Sequence, residues 1–205
     1  MQKQWYMITL TILLCCIVVL ISAALADKTQ PSDDQQIASY NATISDSPND
    51  ATAYYKRGIK YLSKSQEDLA LNDFNKAIEI NPKYADAYLR RGFLYEKRGQ
   101  EDEAINNYTQ AIVSDPSYEA AYDHRAFIYI KRGRCDLAIA DCNKAIEINP
   151  KYVGAYFNKC KAYEKQLLYQ EAIDTYRTLQ SVIPPEDIQT FGKAEKRIQA
   201  IQKAL

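Results

Sequence analysis

Prolines recur along this chain at a fixed interval of 34 residues, and this interval constrains the fold more than any other feature. Pro82, Pro116, Pro150 and Pro184 keep the interval, and Pro48 extends the series one step towards the N-terminus. Self-similarity at a fixed period of this size is typical of solenoids, in which each unit is one supersecondary element stacked on the next. A unit of this length has room for one helix, a turn and a second helix.

Each unit repeats two patterns of large and small side chains. The first half places bulky, small and bulky residues at i, i+4 and i+7, and the second half places small, bulky and small residues at the same spacing. This spacing puts the three residues on one face of a helix. The small residues are expected to let facing helices approach, while the bulky ones fill the flanks. The first halves carry Tyr54-Gly58-Tyr61, Tyr88-Gly92-Tyr95, Tyr122-Ala126-Tyr129 and Tyr156-Cys160-Tyr163, and the second halves carry Ala70-Phe74-Ala77, Ala104-Tyr108-Ala111, Ala138-Cys142-Ala145 and Ala172-Tyr176-Leu179.

The turns between the helices carry residues of the expected kinds. An Asn or Asp precedes the proline of three units, which predicts a helix start at Asn81, Asp115 and Asn149. Gly99 and Gly133 follow basic residues between the two helices of units two and three, as expected at a helix end.

The two ends of the array are predicted to be caps. Residues 36–48 resemble the second half of an earlier unit, and residues 187–204 form one more amphipathic helix. The apolar stripe of that last helix is Phe191, Ala194, Ile198 and Ile201. A solenoid must cover its terminal apolar faces, which these two segments would do.

The repeated pattern resembles the tetratricopeptide repeat (TPR), with aromatic, small, aromatic in the first helix, Ala, aromatic, Ala in the second, and Pro near the end. The resemblance extends over residues 51–186. It implies an all-α solenoid, a right-handed superhelix of four full repeats with an N-terminal half repeat and a C-terminal capping helix. The predicted organisation is a signal peptide or signal anchor at 1–26, a flexible linker at 27–35, a half repeat at 36–50, repeats at 51–84, 85–118, 119–152 and 153–186, and a capping helix at 187–205.

The first 26 residues have the order of a secretory signal. Residues 7–21 are uncharged and nearly all apolar, and Ala24 and Ala26 form a small-residue cleavage site before Asp27. Cleavage between Ala26 and Asp27 predicts a secreted or periplasmic protein. The alternative is an uncleaved membrane anchor, because residues 7–26 are long enough to span a bilayer. Both alternatives place the repeats outside the cytoplasm, and the phrase INPKYADAY resembles bacterial TPR proteins, which favours the periplasm.

Charge and motifs exclude several classes of function. The chain has 26 basic and 26 acidic residues, so it has no long-range field to attract nucleic acid. It lacks HExxH, GxSxG, Walker and GxGxxG motifs, and its one histidine, His124, has no second histidine with which to bind a metal. We therefore expect no enzyme, no catalytic residue, no metal, no cofactor and no small-molecule substrate. The membrane would be a partner only through residues 7–26, if they are not cleaved.

Three cysteines follow the signal segment. Cys142 and Cys160 stand at core places of the repeat, where a free cysteine behaves as a small hydrophobic residue. An oxidising compartment would also permit a disulfide between them, and the sequence leaves both states open. Cys135 is predicted near a turn and more exposed.

The TPR resemblance implies that the first helices line a concave groove in which a partner binds. The residues that flank the core stripe of these helices are unusually apolar, which suggests pockets for an extended peptide or an amphipathic helix. The alternative is that some of these rings pack against neighbouring helices. The predicted groove residues are Tyr55, Ile59, Leu89, Arg90, Phe93, Asp123, His124, Phe127, Ile130, Phe157, Asn158 and Lys161.

One known TPR ligand can be tested against the sequence. The chaperone-binding subgroup holds a peptide carboxylate with Lys, Asn, Asn, Lys and Arg across three consecutive units. We therefore predict no Hsp70/Hsp90 carboxylate-clamp ligand. The clamp positions of units one to three instead hold Tyr55, Ile59, Arg90, Ala120 and His124, and those of units two to four hold Leu89, Phe93, His124, Gly154 and Asn158.

The leading hypothesis is an extracytoplasmic scaffold that binds a peptide or helix of a partner protein in the concave groove. The alternative is a structural or assembly subunit of a cell-envelope complex that uses its convex face or its caps.

Overall fold

The computed structural model describes residues 31–184 and 186–204, and the predicted signal or anchor segment lies outside them. The described residues form ten α-helices and no strand. The predicted all-α repeat architecture is therefore confirmed. The helices are α1 (Asp33–Asp46), α2 (Ala51–Ser63), α3 (Glu67–Ile80), α4 (Ala85–Lys97), α5 (Glu101–Ser114), α6 (Glu119–Lys131), α7 (Cys135–Ile148), α8 (Val153–Lys165), α9 (Tyr169–Val182) and α10 (Ile188–Ala204).

The helices pack in order along the chain, each on the next. The first helices of the four repeats, α2, α4, α6 and α8, begin at the residues where the sequence pattern divides the chain. In addition, α4 contacts α6, and α6 contacts α8. These first helices therefore lie side by side, and we call the surface that they form the first-helix face.

The small residues of the pattern lie where facing helices approach most closely. Ala70, Ala104 and Ala138 are completely buried in the second helices. A Cβ atom added at Gly92 would stand 2.8 Å from Tyr108 Cε1, closer than carbon atoms can pack. The predicted pairing of a small residue on one helix with a bulky residue on its partner is therefore present in the structure.

An arginine of each of the first three repeats crosses from the first helix to two second helices. Arg125 donates from Nε and Nη2 to the two carboxylate oxygens of Asp141, both at 2.8 Å, and from Nη1 to Thr109 Oγ1 at 2.9 Å. Its guanidinium carbon lies 5.8 Å and 5.9 Å from the ring centroids of Tyr122 and Tyr129. The arginine therefore connects its own repeat to the preceding one between two tyrosine rings.

The same connections recur one and two repeats earlier. Arg91 donates to Asn107 Oδ1 at 2.7 Å and to Asn75 Oδ1 at 2.8 Å. Arg57 makes the corresponding bonds to Asp73 at 2.6 and 2.8 Å and to an asparagine of α1 at 2.7 Å. We call these three residues, Arg57, Arg91 and Arg125, the arginine ladder. Since a guanidinium that is half-buried still needs partners for the N–H groups removed from water, the ladder favours this arrangement of neighbouring repeats.

The N-terminal half repeat is part of the same array, but it begins earlier than the sequence suggested. Helix α1 begins at Asp33, inside the predicted linker 27–35, because Ser32 and Gln35 form a capping box. Lys60 of α2 forms an ion pair of 3.2 Å with Asp33. The acidic residue at the corresponding place of repeat two, Glu101, is likewise paired with the first helix of the next repeat, through Lys131 at 2.7 Å. Helix α1 therefore occupies the place of a second helix.

The Asn and Asp residues before the prolines do not start helices, contrary to the prediction. Asn81, Asp115 and Asn149 each end a second helix, and the next helix begins four residues later. Their side-chain oxygens accept the backbone N–H two residues further on, at 2.9 to 3.1 Å. Each side chain thus stabilises the turn that contains the proline rather than the start of the following helix.

The structure shows where the three cysteines and Phe191 lie relative to the core. Cys142 and Cys160 are free and completely buried, each in the core of its own repeat. Cys135 was expected to be exposed, but it is buried because it packs against Ala138 and its neighbours at the start of α7. Phe191 was assigned to the apolar stripe of the last helix, but it is 47% exposed because α10 turns only its other three stripe residues into the core.

Candidate functional site

The structure divides the predicted groove residues by their exposure. Arg90, Phe93 and Lys161 are exposed, and Phe93 is the only large apolar residue among the predicted set that reaches 41% exposure. Seven residues are half-buried and contribute part of their surface to the first-helix face. They are Tyr55, Ile59, Asp123, His124, Phe127, Phe157 and Asn158.

Leu89 and Ile130 are not groove residues, which corrects the prediction. Leu89 is 5% exposed and Ile130 is 1% exposed. Both belong to the hydrophobic core, Leu89 with Tyr108 and Ile130 with Cys135. Adjacent first helices touch one another, so a flanking residue on the side of the contact fills the interface instead of facing a ligand.

The first-repeat end of the face is closed by packing between its own rings. The Tyr55 ring lies 5.0 Å from Tyr84 and 5.9 Å from Phe74, centroid to centroid. Ile59 packs against the core cluster that contains Phe74. In this part of the molecule, the alternative that the rings pack against neighbouring helices applies.

A cluster from repeats two and three lies near the middle of the face. The imidazole of His124 stacks on Tyr108 at 5.3 Å and meets the Phe93 ring edge-on at 6.2 Å. Its Nδ1 lies 3.5 Å from Glu96 Oε2, which also accepts the Tyr108 hydroxyl at 2.6 Å. Burial opposes ionisation of Glu96, but the hydrogen bonds from His124 and Tyr108 outweigh it and lower its pKa. The Phe93 ring therefore packs against a histidine whose position is held by Tyr108 and Glu96.

Asp123 and Asn158 join the third and fourth repeats. Asn158 Nδ2 donates to Asp123 Oδ1 at 2.7 Å. Burial raises the pKa of Asp123 above its usual range, because the ionised carboxylate is poorly solvated there. A Cβ atom at Gly154 would stand 2.8 Å from Asp123 Oδ2, so the glycine makes room for this carboxylate.

A cavity of about 550 Å³ lies at the fourth-repeat end of the face, between the first helix α8, the second helix α9 and the capping helix α10. The rings of Phe157 and Tyr176 meet edge to face at 5.7 Å in its wall. Lys161 Nζ lies 5.4 Å above the ring of Phe127 and connects the cavity to the rest of the face. The lining residues are Phe157, Asn158, Lys161, Glu164, Tyr176, Lys193, Lys196 and Arg197.

Models of known repeat families match three parts of this chain. The model described as TPR repeat matches residues 60–99 and 127–166, and the model described as Tetratricopeptide repeat matches residues 85–118. Residues 60–118 and 127–166 of the chain therefore match tetratricopeptide repeats. A scaffold for protein–protein interaction is the class of function to which this architecture points. A search of curated proteins found no match to the chain.

Solved TPR structures share the fold of this array. The crystal structure of the MamA protein is 24% identical, with a TM-score of 0.67, and the match covers 80% of this chain and 90% of that chain. YrrB, described as a TPR protein with an unusual peptide-binding site, is 20% identical, with a TM-score of 0.65, over 86% of this chain and 87% of that chain. The first TPR of Spaghetti (RPAP3), bound to the HSP90 peptide SRMEEVD, is 28% identical, with a TM-score of 0.50, over 58% and 95%.

The basic wall of the cavity was missed by the sequence prediction. Lys193, Lys196 and Arg197 are spaced to lie on one flank of α10, beside the apolar stripe that identified this helix as a cap. A count of charges on that flank could have found them. The pairing of that flank with the TPR groove, however, depends on how α10 packs against α8 and α9.

Within the described part of the chain, no helix is both long enough and apolar enough to cross a membrane.

Proposed function

We propose that this TPR array binds an extended peptide or a helix of a partner protein along its first-helix face, outside the cytoplasm. The observation that carries the proposal is Phe93, a large apolar side chain left 41% exposed on the face. Aromatic rings held in a fixed position are common anchors for binding. His124 supports the Phe93 ring from the next repeat.

Two neighbours in fold support a peptide as the ligand. YrrB is described as having a peptide-binding site, and the first TPR of Spaghetti holds a peptide of seven residues. The carboxylate-clamp residues are still missing from this sequence, so the exclusion of an Hsp70/Hsp90 clamp ligand stays a prediction. The proposed ligand would instead be held by Phe93 and by the cavity beside α10.

The test begins with selection of twelve-residue peptides from a random display library on the full-length chain, purified in a non-ionic detergent. The best peptide is then labelled with fluorescein, and its Kd is measured by fluorescence anisotropy. The variant Phe93→Asp should raise the Kd about tenfold or more, since truncation of an anchor residue typically costs more than 1 kcal/mol.

The matched control is Val113→Asp, which places the same charge on α5, at a residue that is 69% exposed. This variant should leave the Kd unchanged. If Phe93→Asp also leaves the Kd unchanged while both variants melt like the wild type, the first-helix face is not the binding site.

The alternative, a structural subunit of an envelope complex, has its own supporting observation. Ile188 and Phe191 of the capping helix are 77% and 47% exposed and line a second cavity of about 400 Å³. Peptide binding that is lost in Phe191→Asp and kept in Phe93→Asp would favour this cap surface over the first-helix face.

The location outside the cytoplasm rests on the signal-like residues 1–26, which lie outside the described part of the structure. Fusion of alkaline phosphatase after the last residue should give an active enzyme in a bacterial host, because this enzyme folds only where its disulfides form. An inactive but intact fusion would contradict the proposed location. N-terminal sequencing of the purified chain would separate cleavage before Asp27 from an intact anchor.

A further inference from the structure

The cavity between α8, α9 and α10 carries an excess of positive charge. Four of its lining residues are basic, namely Lys161, Lys193, Lys196 and Arg197, and only Glu164 is acidic. The chain as a whole has equal numbers of basic and acidic residues. The excess is therefore a property of this cavity, and we call it the basic end pocket.

Glu164 does not balance the three lysines of the basic end pocket, because its single negative charge is already paired with Arg197. Oε1 accepts the hydroxyl of Tyr176 at 3.1 Å, and Oε2 forms an ion pair with Arg197. The three lysines, in contrast, form no ion pair with any carboxylate of the described residues. Three like charges around one concave surface produce a local positive potential that attracts an anionic group.

The basic end pocket also has an apolar wall. The edge of one aromatic ring meets the face of another in the Phe157–Tyr176 pair, and Tyr176 is 3% exposed. A wall of this kind favours an apolar side chain between the anionic groups. A volume of about 550 Å³ is in the range of pockets that enclose a small ligand or a few side chains.

The pocket is continuous with the first-helix face. Asn158 lines the pocket and donates to Asp123 of the preceding repeat, and Lys161 lies over the ring of Phe127. A peptide that lies across Phe93 and Phe127 would therefore reach the pocket without leaving the face.

We infer that the basic end pocket binds an acidic segment of the peptide that occupies the first-helix face, with an apolar side chain against Phe157 and acidic side chains against Lys193 and Lys196. This inference rests on the proposed function. Charge complementarity favours an acidic peptide over nucleic acid, because the lysines cluster around one open pocket and do not form a stripe that could follow a phosphate backbone.

The probe is a fluorescein-labelled peptide, Glu-Glu-Phe-Glu-Glu, and the control peptide is Gln-Gln-Phe-Gln-Gln. Anisotropy titration of the full-length chain should show saturable binding of the acidic peptide, and this binding should weaken as salt is added. The control peptide should bind at least tenfold more weakly. Equal binding of the two peptides would overturn the inference.

The charge-reversing double variant Lys193→Glu with Lys196→Glu should weaken binding of the acidic peptide at least tenfold. The neutral pair Lys193→Gln with Lys196→Gln should give an intermediate loss and cannot create new repulsion. The matched control is Lys83→Glu with Lys203→Glu, which makes the same change in net charge at two exposed residues outside the pocket. An equal loss in the control would show that only net charge matters, and the pocket would be refuted.

A ten-nucleotide oligothymidylate tests the other class of anionic partner. If it binds more tightly than the acidic peptide and depends on the same two lysines, the occupant is nucleic acid and the inference is wrong. The two proposals also fail separately. Loss of the library peptide in Phe93→Asp, without any binding of the acidic peptide, would refute the basic end pocket alone. Binding of the acidic peptide in the pocket, with a library peptide indifferent to Phe93, would refute the first-helix face as the site.

Discussion

Repeats one to three and repeat four use different contacts at the same positions. The place of the ladder arginine is held in repeat four by Lys159, and the place of Asp73, Asn107 and Asp141 is held by Thr175. The Lys159 amino group lies 5.8 Å above the ring of Tyr163, and the Thr175 hydroxyl donates to the backbone of its own helix at 2.8 Å. The guanidinium presents five N–H donors in a fixed plane and reaches two helices in repeats one to three, whereas here Lys159 lies over a ring and the Thr175 hydroxyl bonds within its own helix. The second helix of repeat four is thus not connected to the ladder.

The pKa of a ladder arginine depends on whether a carboxylate or a neutral amide accepts its hydrogen bonds. The pKa of Arg57 is raised by its hydrogen bonds to the Asp73 carboxylate. The Arg91 pKa is lowered by burial, because Asn107 offers a neutral oxygen in place of a carboxylate. Repeat two therefore has a half-buried arginine without a countercharge, although its bond lengths match those of its neighbours.

Repeat four gains from the capping helix what it lacks in the ladder. Leu179 stands where the other repeats have alanine, and it is completely buried. It packs in one cluster with Ala194, Ile198 and Ile201 of α10. At this position the last repeat is therefore stabilised by apolar contact with a cap, and its polar connection to repeat three uses Asn158 and Asp123 instead of a ladder arginine.

The first prediction breaks the ladder in repeat three. Asp141→Ala should lower the free energy of unfolding by about 3 kcal/mol, because it leaves the half-buried Arg125 guanidinium, with a side chain 16% exposed, without its carboxylate. Thr175→Ala, the same position in repeat four, should cost only about 1 kcal/mol, the contribution of one hydrogen bond. Urea unfolding followed by circular dichroism measures both. Equal losses would mean that the two repeats do not differ as described.

The second prediction concerns the position at which repeat four has Leu179 and the other repeats have alanine. Leu179→Ala should cost about 2–5 kcal/mol through lost burial and a cavity against α10. The reverse change at the equivalent place of repeat two, Ala111→Leu, should cost about 1–3 kcal/mol because that site has no room. Thermal unfolding of the two variants measures both losses of stability. A stabilising Ala111→Leu would contradict the tight approach of helices in repeat two.

A smaller effect is expected at the turn between the two helices of each repeat. Leu167 has a φ of 61°, where repeats two and three have Gly99 and Gly133 at 74° and 72°. A non-glycine residue in this left-handed region is strained. Leu167→Gly should therefore stabilise the chain by about 1 kcal/mol, a rise in Tm of about 2–4 °C.

Gly133→Leu is the matched reversal of this change. No atom lies within 4 Å of a Cβ placed on Gly133, so backbone strain alone should lower the Tm. Calorimetry of both variants measures the pair. A Tm that falls in Leu167→Gly would show that the leucine side chain contributes more than its backbone strain removes.

The smallest effect concerns the junction between repeats three and four. Because burial raises the folded-state pKa of Asp123, the contribution of this carboxyl to stability is present below about pH 4, the unfolded-state pKa of Asp, and is lost as the pH rises through the folded pKa. Asp123→Asn should therefore gain stability relative to the wild type between pH 4 and pH 7, measured by urea unfolding.

The Asp115 carboxyl provides a control of opposite sign. Hydrogen bonds from the side chain and backbone N–H of Ser117 lower its pKa. Its contribution is therefore present at neutral pH and lost on acidification. Relative to the wild type, Asp115→Asn should lose stability as the pH rises from about 2 to about 5, through the unfolded-state pKa of Asp, and show no further trend up to pH 7. A parallel trend in the two variants would contradict the assigned directions.

The 34-residue period allowed the repeats to be predicted, because the small and bulky residues keep the same spacing in every unit. The alanines of the second helices are buried as expected. The ladder could not be predicted in the same way. The arginines keep the period at Arg57, Arg91 and Arg125, but their hydrogen-bond acceptors vary among Asp, Asn and Thr. Only the geometry shows that these different acceptors occupy equivalent places.

The candidate site was predicted less well than the fold. A pattern of flanking residues correctly places Phe93 and Lys161 on an exposed surface. It does not distinguish the side of a first helix that touches the next one, and so it wrongly included Leu89 and Ile130. It also omitted α10, because contacts between a capping helix and a distant first helix depend on crossing angles that no local spacing contains.

The arginine ladder has a consequence for how such an array changes length. Each rung reaches forward 16 residues to its own repeat and back 16 residues to the one before. Removal of residues 85–118 would bring Asn75 to the place where Arg125 now meets Thr109, and Asn75 already accepts such a bond from Arg91. A gene that gained or lost one 34-residue unit would thus encode a longer or shorter groove. At the new junction between repeats, each ladder arginine would still find hydrogen-bond acceptors.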